Sequence, residues 1–354
     1  MRLIVVLAGL LVMVGIVVLG SSASAQVGRP LSGLTAEEHQ RFIAGRMVFE
    51  RAFTPETGLG PLFNSTSCAA CHKSPVVGGG GTQEPGADDV EVHATRFGAN
   101  GCDPLTESGG PAFQQQAVPG ARVEGIPANA QIGRRATPQV FGLGLLEAIP
   151  DATLLALQQR SGGRAHILPD GRIGRFGRKA ESPTLVEFTT GAFRDEQGVD
   201  VPTELTEAER DLTADFMRFL APPDTLTLSF EAQVGAFYFQ QIGCATCHVP
   251  ALVTGPSPVA ALNRRRVVMW SDLLLHDMGP AMADACLGNA GPQEFRTEPL
   301  AGLRFRKRFL HDGRALTLDS AIVQHGGRAQ SSTENWLRLP GFLRDAIEAF
   351  LKSI

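Results

Sequence analysis

Two short stretches of this chain combine cysteine and histidine in a spacing that could carry redox chemistry. Residues 68–72 and 244–248 both read Cys-x-x-Cys-His. In such a motif the two thiols can add to the two vinyl groups on one edge of a porphyrin, and the histidine can then bind the iron. The sequence therefore predicts two haem c groups. The predicted attachment residues are Cys68, Cys71, Cys244 and Cys247, and the predicted iron ligands are His72 and His248.

Cysteine pairs at this spacing also occur in zinc sites and in thiol redox proteins. A zinc site would require the two pairs to converge on one ion. Here each pair has its own histidine, and the pairs lie about half a chain apart. Accidental matches would leave reactive thiols in an exported protein, so the pattern favours haem attachment.

Two further cysteines, Cys102 and Cys286, lie one in each half of the chain. In an oxidising compartment such an even pair is expected to form a disulfide. This bond would tie the two haem domains together. The alternative is two separate buried thiols.

The N-terminus predicts export. An apolar run from Leu3 to Leu19 precedes Ala23-Ser24-Ala25, a small-residue pattern that signal peptidases accept. We interpret residues 1–25 as a signal peptide and expect a periplasmic protein. The alternative is an uncleaved anchor, and only in that case would the protein contact a membrane.

The charge balance argues against a nucleic-acid partner. The 36 acidic residues outnumber the 32 Lys and Arg residues, for a net charge of −4. Two basic clusters, residues 264–266 and 304–308, are interpreted as solvated faces or as contacts to haem propionates or an acidic partner.

The elements that must position the motifs are predicted to be helices. Residues 36–53 and 229–241 show helical periodicity directly before the two motifs, and Gly45 and Gly235 would allow close helix contact. Residues 206–220 and 336–354 are predicted to be the second helices that cross them. Such pairs of crossing helices are typical of cytochrome c domains.

A proline pair at residues 222–223 marks the predicted domain boundary. We predict a mainly α fold with two cytochrome c-like haem domains, residues 26–222 and 223–354. The first is longer than a minimal domain, and its glycine-rich stretches, residues 78–81 and 101–127, are predicted to be long loops. Little sheet is expected.

Seven further stretches, together with the two motifs, resemble the di-haem oxidoreductase family of peroxidase-like proteins, within the bacterial di-haem cytochrome c peroxidase superfamily. These stretches are residues 60–64, 142–150, 174–177, 272–279, 296–300, 310–315 and 321–327. The chain departs from the family pattern at Arg178 and in residues 90–119.

The sixth iron ligands decide whether such haems only pass electrons or also bind a substrate. The resemblance implies His325 as the sixth ligand of the second haem, with Met278 as the alternative. His93 is a candidate for the first haem. We interpret His276 and His311 as groups that hydrogen-bond propionates or backbone rather than iron.

A peroxide-cleaving site would need a proton-transfer group and a cationic or donor group to stabilise the departing oxygen. Glu147 with Arg135, or with Arg134, is the predicted catalytic pair. Alternatively, Glu147 caps a turn or forms a salt bridge there. Trp270 is predicted to lie between the domains or to be packed in a core.

The resemblance implies a periplasmic di-haem oxidoreductase enzyme, a peroxidase-like one. Its C-terminal haem would accept electrons from a small redox protein and relay them to the N-terminal haem, where peroxide or another small oxidant is reduced. Two alternatives stay open. One is a non-catalytic di-haem electron-transfer cytochrome, and the other is an oxidase of thiols or of partner-protein side chains.

Overall fold

The computed structural model describes residues 27–82 and 90–354. The predicted signal peptide, residues 1–25, lies outside the described residues. Within these two ranges, no helix has the length and apolar character needed to cross a membrane.

Helices form most of the regular structure, and they are joined by long loops and short strands. The α-helices are α1 (Ala36–Glu50), α2 (Cys68–Cys71), α3 (Leu143–Glu147), α4 (Asp151–Ser161), α5 (Leu185–Ala192), α6 (Glu207–Phe219), α7 (Phe230–Gln241), α8 (Leu318–Val323), α9 (Gln330–Arg338) and α10 (Gly341–Leu351). The strands are β1 (Leu62–Phe63), β2 (Val90–Gly98), β3 (Gly101–Asp103), β4 (Gln116–Ala117), β5 (Gln131–Ala136), β6 (Leu252–Val253), β7 (Arg266–Val267), β8 (Leu275–Asp277) and β9 (Glu294–Arg296).

The helices next to the two motifs begin at residues that cap them. Thr35 accepts a hydrogen bond from the backbone N–H of Glu38, and the Glu38 side chain accepts one from the Thr35 N–H, which forms a capping box at α1. Thr206 and Glu209 repeat this arrangement at α6. Ser229 caps α7. The starts of these helices are therefore encoded locally.

The predicted helix crossings are present, and a glycine lies at each of them. A Cβ placed on Gly45 of α1 would lie 1.9 Å from the carbonyl oxygen of Leu212 on α6. One placed on Gly235 of α7 would lie 1.9 Å from the carbonyl oxygen of Ala346 on α10. The chain thus uses the same helix contact twice, once beside each haem motif.

The predicted helix of residues 336–354 is two helices, α9 and α10. They are separated at Leu339-Pro340, where Leu339 has an extended backbone with φ −68° and ψ 141°. Steric contact with the proline ring disfavours helical geometry in the residue before it. The prediction of one continuous helix was therefore wrong.

The described residues contain little sheet, as predicted, but the first half of the chain has one three-stranded sheet. Strands β3, β2 and β5 form an antiparallel sheet, in which Glu91 pairs with Arg135. The inner side of β2 contributes Ala94 to a small apolar core with Leu105 and Phe113. The alternation of apolar and polar residues in residues 90–98 fits a half-buried strand.

Among the apolar cores of the described residues, two are built on the helix pairs and a third spans the predicted boundary at residues 222–223. The third core joins buried residues from 145–173 to others from 252–301. Its members include Leu145, Leu146, Ile149, Leu154, Leu252, Leu262, Met269 and Leu274. The predicted halves thus share apolar packing.

A disulfide also connects the two halves. Cys102 on β3 is bonded to Cys286, with a Cα–Cα distance of 5.8 Å, which is usual for such bonds. The predicted pairing of these cysteines is confirmed.

Candidate functional site

The first motif lies on a single helical turn. The Ser67 hydroxyl caps α2 by accepting from the backbone N–H of Ala70 at 3.1 Å. Cys68 and Cys71 are three residues apart, so their thiols lie on the same side of the turn. His72 follows, and its Nδ1 lies 3.2 Å from the carbonyl oxygen of Gly79. A carbonyl only accepts, so Nδ1 carries the proton and Nε2 is the nitrogen left for an iron.

A cleft opens beside this motif, with a volume of about 660 Å³ that includes space open to the solvent. Cys68, Cys71 and His72 line it. Its apolar wall consists of Phe49, Val140, Phe188, Ala192, Phe193 and Met217. Mainly apolar walls with a few polar groups are typical of cofactor pockets. The two thiols and the histidine therefore fit a covalently bound haem in this cleft.

The first cysteine of each motif is in an environment that disfavours free-thiol reactivity. Burial raises the pKa of Cys68 to about 12 and that of Cys244 to about 12. Reactive cysteines have the opposite shift, because the thiolate is the nucleophile.

The cleft has an acidic side, formed by Glu196 and Glu91. The Glu196 carboxylate accepts from Asn64 Nδ2 at 3.0 Å. Burial and the nearby charge of Glu91 raise the pKa of Glu196 well above its ordinary value. Burial also acts to raise the pKa of Glu91, but a 2.8 Å hydrogen bond from His93 Nε2 and the charge of Arg135 outweigh it and lower that pKa. The pair thus favours one protonated and one ionised carboxyl group.

Our sequence reasoning missed Glu196. It lies in a π-helical turn, Phe193–Gln197, that follows α5. Such turns occur frequently at functional sites, which is the one signal that could have pointed to it. Nothing near Glu196 in the sequence connects it to the distant first motif.

The structure places the predicted catalytic Glu147 elsewhere. One carboxylate oxygen of Glu147 accepts from the backbone N–H of Leu185 at 2.8 Å, and the other accepts from Arg218 Nε at 2.8 Å. Glu147 is not among the residues that line the cleft. It holds the start of α5 against α6, which is the alternative that the sequence left open.

The predicted arginines are separated from each other by the sheet. Arg135, on β5, is buried and pairs with Glu91 on the neighbouring strand β2. Its guanidinium group lies 4.0 Å from the carboxylates of Glu181 and of Asp284. Arg134 is exposed. Arg135 therefore acts on the cleft through Glu91 and does not line it.

The second motif repeats the first with a 3₁₀ turn, Cys244–Thr246. His248 Nδ1 lies 3.1 Å from the carbonyl oxygen of Trp270, so its Nε2 is again the nitrogen left for an iron. The Trp270 ring packs on Phe239 and Phe350 within the C-terminal core, and does not lie between the domains. Its indole N–H is buried without a partner, which suits a haem carboxylate as acceptor.

His276 has other partners than the predicted propionates or backbone. Its Nε2 is 2.9 Å from Asp272 Oδ2, and its Nδ1 is 3.6 Å from the Cys247 sulfur. Burial acts to lower the pKa of His276, but these two hydrogen bonds raise it to about 9.

The segments that carry the two candidate sixth ligands of the second haem, His325 and Met278, lie next to each other. His325 Nδ1 donates to the carbonyl oxygen of Ala321 at 2.7 Å, which leaves Nε2 available. Burial and the charge of His325 lower the pKa of His248 to about 4, so the two imidazoles are near each other. The backbone of Met278 contacts Gly326, the residue after His325. His93, the candidate for the first haem, is hydrogen-bonded to Glu91 through Nε2.

The two cysteine pairs do not converge. Cys68 packs against the core that contains Phe49 and Phe216, and Cys244 packs against the one that contains Trp336 and Phe350. Among residues 27–82 and 90–354, no three His, Cys, Asp or Glu side chains group as metal ligands would. The shared zinc site considered above is therefore not supported.

Comparison with solved structures gives remote similarities. The diheme peroxidase BthA from Burkholderia thailandensis is 16% identical, with 93% of this chain and 87% of that chain covered and a TM-score of 0.49. A MauG-like protein associated with microbial copper homeostasis is 14% identical, with coverages of 93% and 92% and a TM-score of 0.46. Hydrazine synthase from Kuenenia stuttgartiensis is 14% identical, with full coverage of both chains and a TM-score of 0.44. These TM-scores are too low to establish a shared fold.

Comparison with protein families gives a direct match. No curated protein matches the chain. Residues 206–354 match the model of the family described as "Di-haem oxidoreductase, putative peroxidase". This stretch includes the second haem motif and both candidate sixth ligands, and the match confirms the predicted resemblance and the prediction of an oxidoreductase enzyme. Residues 206–354 of this chain are thus similar to the di-haem oxidoreductase family.

Proposed function

We propose that this chain is an exported enzyme with two covalently bound haem c groups that reduces peroxide, with a small redox protein as the electron donor. The net reaction consumes one peroxide, two electrons and two protons and yields two waters. The main support for this proposal is one observation about the cleft. The first haem motif shares a cleft with two carboxyl groups whose pKa values are shifted in opposite directions.

The haems, when bound, would supply one-electron storage and an iron that a small oxidant can reach. The chain's own residues would manage the protons. Glu196 is the group best suited to hold a proton in the cleft, because its raised pKa keeps it protonated at a higher pH than an ordinary carboxyl group. Asn64 orients it through the 3.0 Å hydrogen bond. Glu91, ionised beside it, would accept the next proton.

The second motif suits electron entry. His248 and His325 each have Nδ1 committed to a backbone carbonyl, so both Nε2 atoms are available for one iron. An iron with two strong protein ligands mainly passes electrons. We therefore assign electron acceptance to residues 223–354 and oxidant reduction to residues 26–222, with Met278 as the alternative ligand.

The test is electron paramagnetic resonance of the purified holoprotein, oxidised and half-reduced, with and without peroxide. A high-spin ferric signal that disappears with peroxide supports an exchangeable iron site. Two low-spin haems in both states, unchanged by peroxide, would leave an electron-transfer cytochrome. Mass spectrometry of the same sample tests both covalent attachment and removal of residues 1–25.

A variant pair tests the carboxyl group directly. Glu196→Gln keeps the volume and the hydrogen bond to Asn64 but cannot deliver a proton. We expect peroxide turnover to fall by about 10²- to 10⁴-fold, with both haems still attached. Glu334→Gln, on an exposed position of α9, is the matched control and should retain activity. Equal activity of the two variants would contradict the assignment of Glu196.

A further inference from the structure

A second group of buried charges lies where the β3-β2-β5 sheet meets the C-terminal half of the chain. It comprises Arg135, Lys179, Asp284 and His311, which we call the joint cluster. Their exposed fractions are 4%, 0%, 4% and 6%. None of them lines the cleft beside His72.

The position of Asp284 in the joint cluster is fixed from several sides. A Cβ placed on Gly133 of β5 would lie 2.8 Å from Asp284 Oδ2, so the carboxylate rests directly on the sheet. Two residues later, Cys286 is bonded to Cys102, and its backbone N–H donates to Thr95 Oγ1 at 3.0 Å. This segment is therefore held on the face of the sheet.

Within the joint cluster, Lys179 is the residue whose ammonium group has its hydrogen-bond acceptors in place. Its Nζ lies 2.9 Å from Asp284 Oδ1 and donates to the carbonyl oxygens of Pro292 at 2.9 Å and Glu294 at 2.7 Å. It also lies over the ring of Phe295. The ammonium group needs no further acceptor.

The other members have hydrogen-bonding atoms without a partner. These are Arg135 Nε and Nη2, both ring nitrogens of His311 and the Oδ2 atom of Asp284. Arg135 Nη2 lies 4.0 Å from Asp284 Oδ2, and His311 Nε2 lies 3.7 Å from the same oxygen. Both distances are too long for a direct hydrogen bond. Buried polar atoms normally have a partner, so another group is expected between them.

Charge identifies the chemistry of that group. Arg135 and Lys179 are balanced by Asp284 and by Glu181, which lies 4.0 Å from Arg135 Nη1. Burial lowers the pKa of His311 to about 4, against the opposing charge of Asp284, so its imidazole is neutral. The cluster and Glu181 carry no net charge, which favours a neutral donor and acceptor over an anion or a cation. Water meets this requirement, because it can accept from Arg135 and donate to Asp284.

The joint cluster connects the solvent with the cleft. Arg135 is the cross-strand partner of Glu91, and directly paired residues project from the same face of a sheet. Glu91 lines the cleft. At the other end, the Glu181 side chain is 23% exposed. Arg135 therefore lies between Glu181, which reaches the solvent, and Glu91, which lines the cleft.

We propose that the joint cluster binds ordered water and that this water delivers protons from the solvent to the cleft beside His72. Delivery to a reaction rests on the proposed function, whereas the water site does not. A proton moves from the bound water into the cleft, to the group there that has given one up, and the water regains a proton from the solvent at Glu181. Two such transfers supply the two protons that each peroxide consumes along with its two electrons. Arg135 and His311 are positioning residues that hold the water.

The water site is tested by a crystal structure of the holoprotein at about 1.5 Å resolution or better. We expect at least one ordered water within hydrogen-bonding distance of both Arg135 Nη2 and Asp284 Oδ2. Direct contact between these two side chains would overturn the proposal. So would a haem carboxylate or an ion in the same position.

Proton delivery is tested by Asp284→Asn, with Asp170→Asn, an exposed aspartate paired with Arg172, as the control. We expect kcat with peroxide to fall at least about tenfold and the solvent isotope effect on kcat to rise, because proton transfer becomes limiting. KM and the resonance signals of both haems should not change. Unchanged kcat and isotope effect in a folded Asp284→Asn would refute delivery.

Removing the charge of Asp284 could prevent folding, because Lys179 would lose its carboxylate. Glu181→Gln then serves as the second variant, since an amide oxygen can still accept from the Lys179 backbone N–H at 3.0 Å. The same changes in kcat and isotope effect are expected, and their absence would refute delivery. A wild-type protein that contains the ordered water but does not reduce peroxide would contradict the proposed function and leave the water site standing.

Discussion

The glycines at the two helix crossings allow a quantitative prediction. In Gly45→Ala, the new Cβ would lie 1.9 Å from the Leu212 carbonyl oxygen, 2.7 Å from its carbon and 3.0 Å from Phe216 Cβ. A carbon and an oxygen approach to about 3.3 Å at closest in ordinary packing. Helices α1 and α6 would therefore have to separate by about 1.4 Å. The obstacle is backbone, so no side-chain rotation can relieve it.

The free-energy change follows from two opposing effects. Overpacking in a well-packed core costs about 1–3 kcal/mol, and the rigid backbone contact argues for the upper end. Alanine in place of a helical glycine contributes about 1 kcal/mol of stability. We therefore expect Gly45→Ala to destabilise the protein by about 2 kcal/mol. Gly235→Ala should have a similar effect, since its Cβ would lie 1.9 Å from the Ala346 carbonyl oxygen.

The measurement is urea unfolding of the holoprotein, followed by helical circular dichroism and by haem absorbance. Gly191→Ala on α5 is the matched control, because its Cβ would meet only the Asp195 carboxylate, at 4.0 Å. This control should shift the unfolding midpoint upward, whereas the two crossing variants should shift it downward at unchanged slope. A Gly45→Ala midpoint equal to or above that of the wild type would refute the reasoning. Gly45→Ala should also affect His72, because Phe49, one turn later on α1, lies 5.8 Å from its ring.

Three further predictions concern the disulfide, the candidate iron ligands and the carboxyl group of Glu196. Replacing Cys102 and Cys286 by serine should lower the free energy of unfolding by about 2–4 kcal/mol, measured by urea unfolding, and an unchanged midpoint would contradict a stabilising disulfide. His325→Met should raise the reduction potential of the C-terminal haem in a redox titration, whereas Met278→Leu should leave it unchanged; the reverse pattern would exchange their roles. Peroxide turnover should decline as pH rises through the raised pKa of Glu196, because the deprotonated carboxylate cannot donate, and Glu196→Gln should lack this limb of the pH profile.

The sequence was most informative where a short spacing determines the structure. The helical caps and the turn that presents Cys68 and Cys71 depend on residues within about one or two turns of each other. The disulfide was predictable for a different reason, because only two cysteines remained after the motifs were assigned.

The rest depends on contacts between distant segments. Glu147 and Glu196 are both acidic residues near helix ends, and nothing in their sequence neighbourhoods distinguishes them. Arg218 and Leu185 engage the first, whereas the second reaches the cleft with Asn64. Likewise, the sheet depends on pairing of residues 90–95 with 131–136, and glycine-rich intervening residues conceal that register.

The apolar core that joins residues 145–173 to 252–301 also determines when the chain can finish folding. Synthesis delivers the N-terminal residues first, so Leu146, Ile149 and Leu154, all at most 1% exposed in the finished protein, remain uncovered until Leu262 and Leu274 emerge. A fragment that ends at residue 222 would retain that uncovered surface and would be prone to aggregate. We therefore expect residues 26–222 and 223–354 to fold as one cooperative unit, because each covers part of the apolar core of the other.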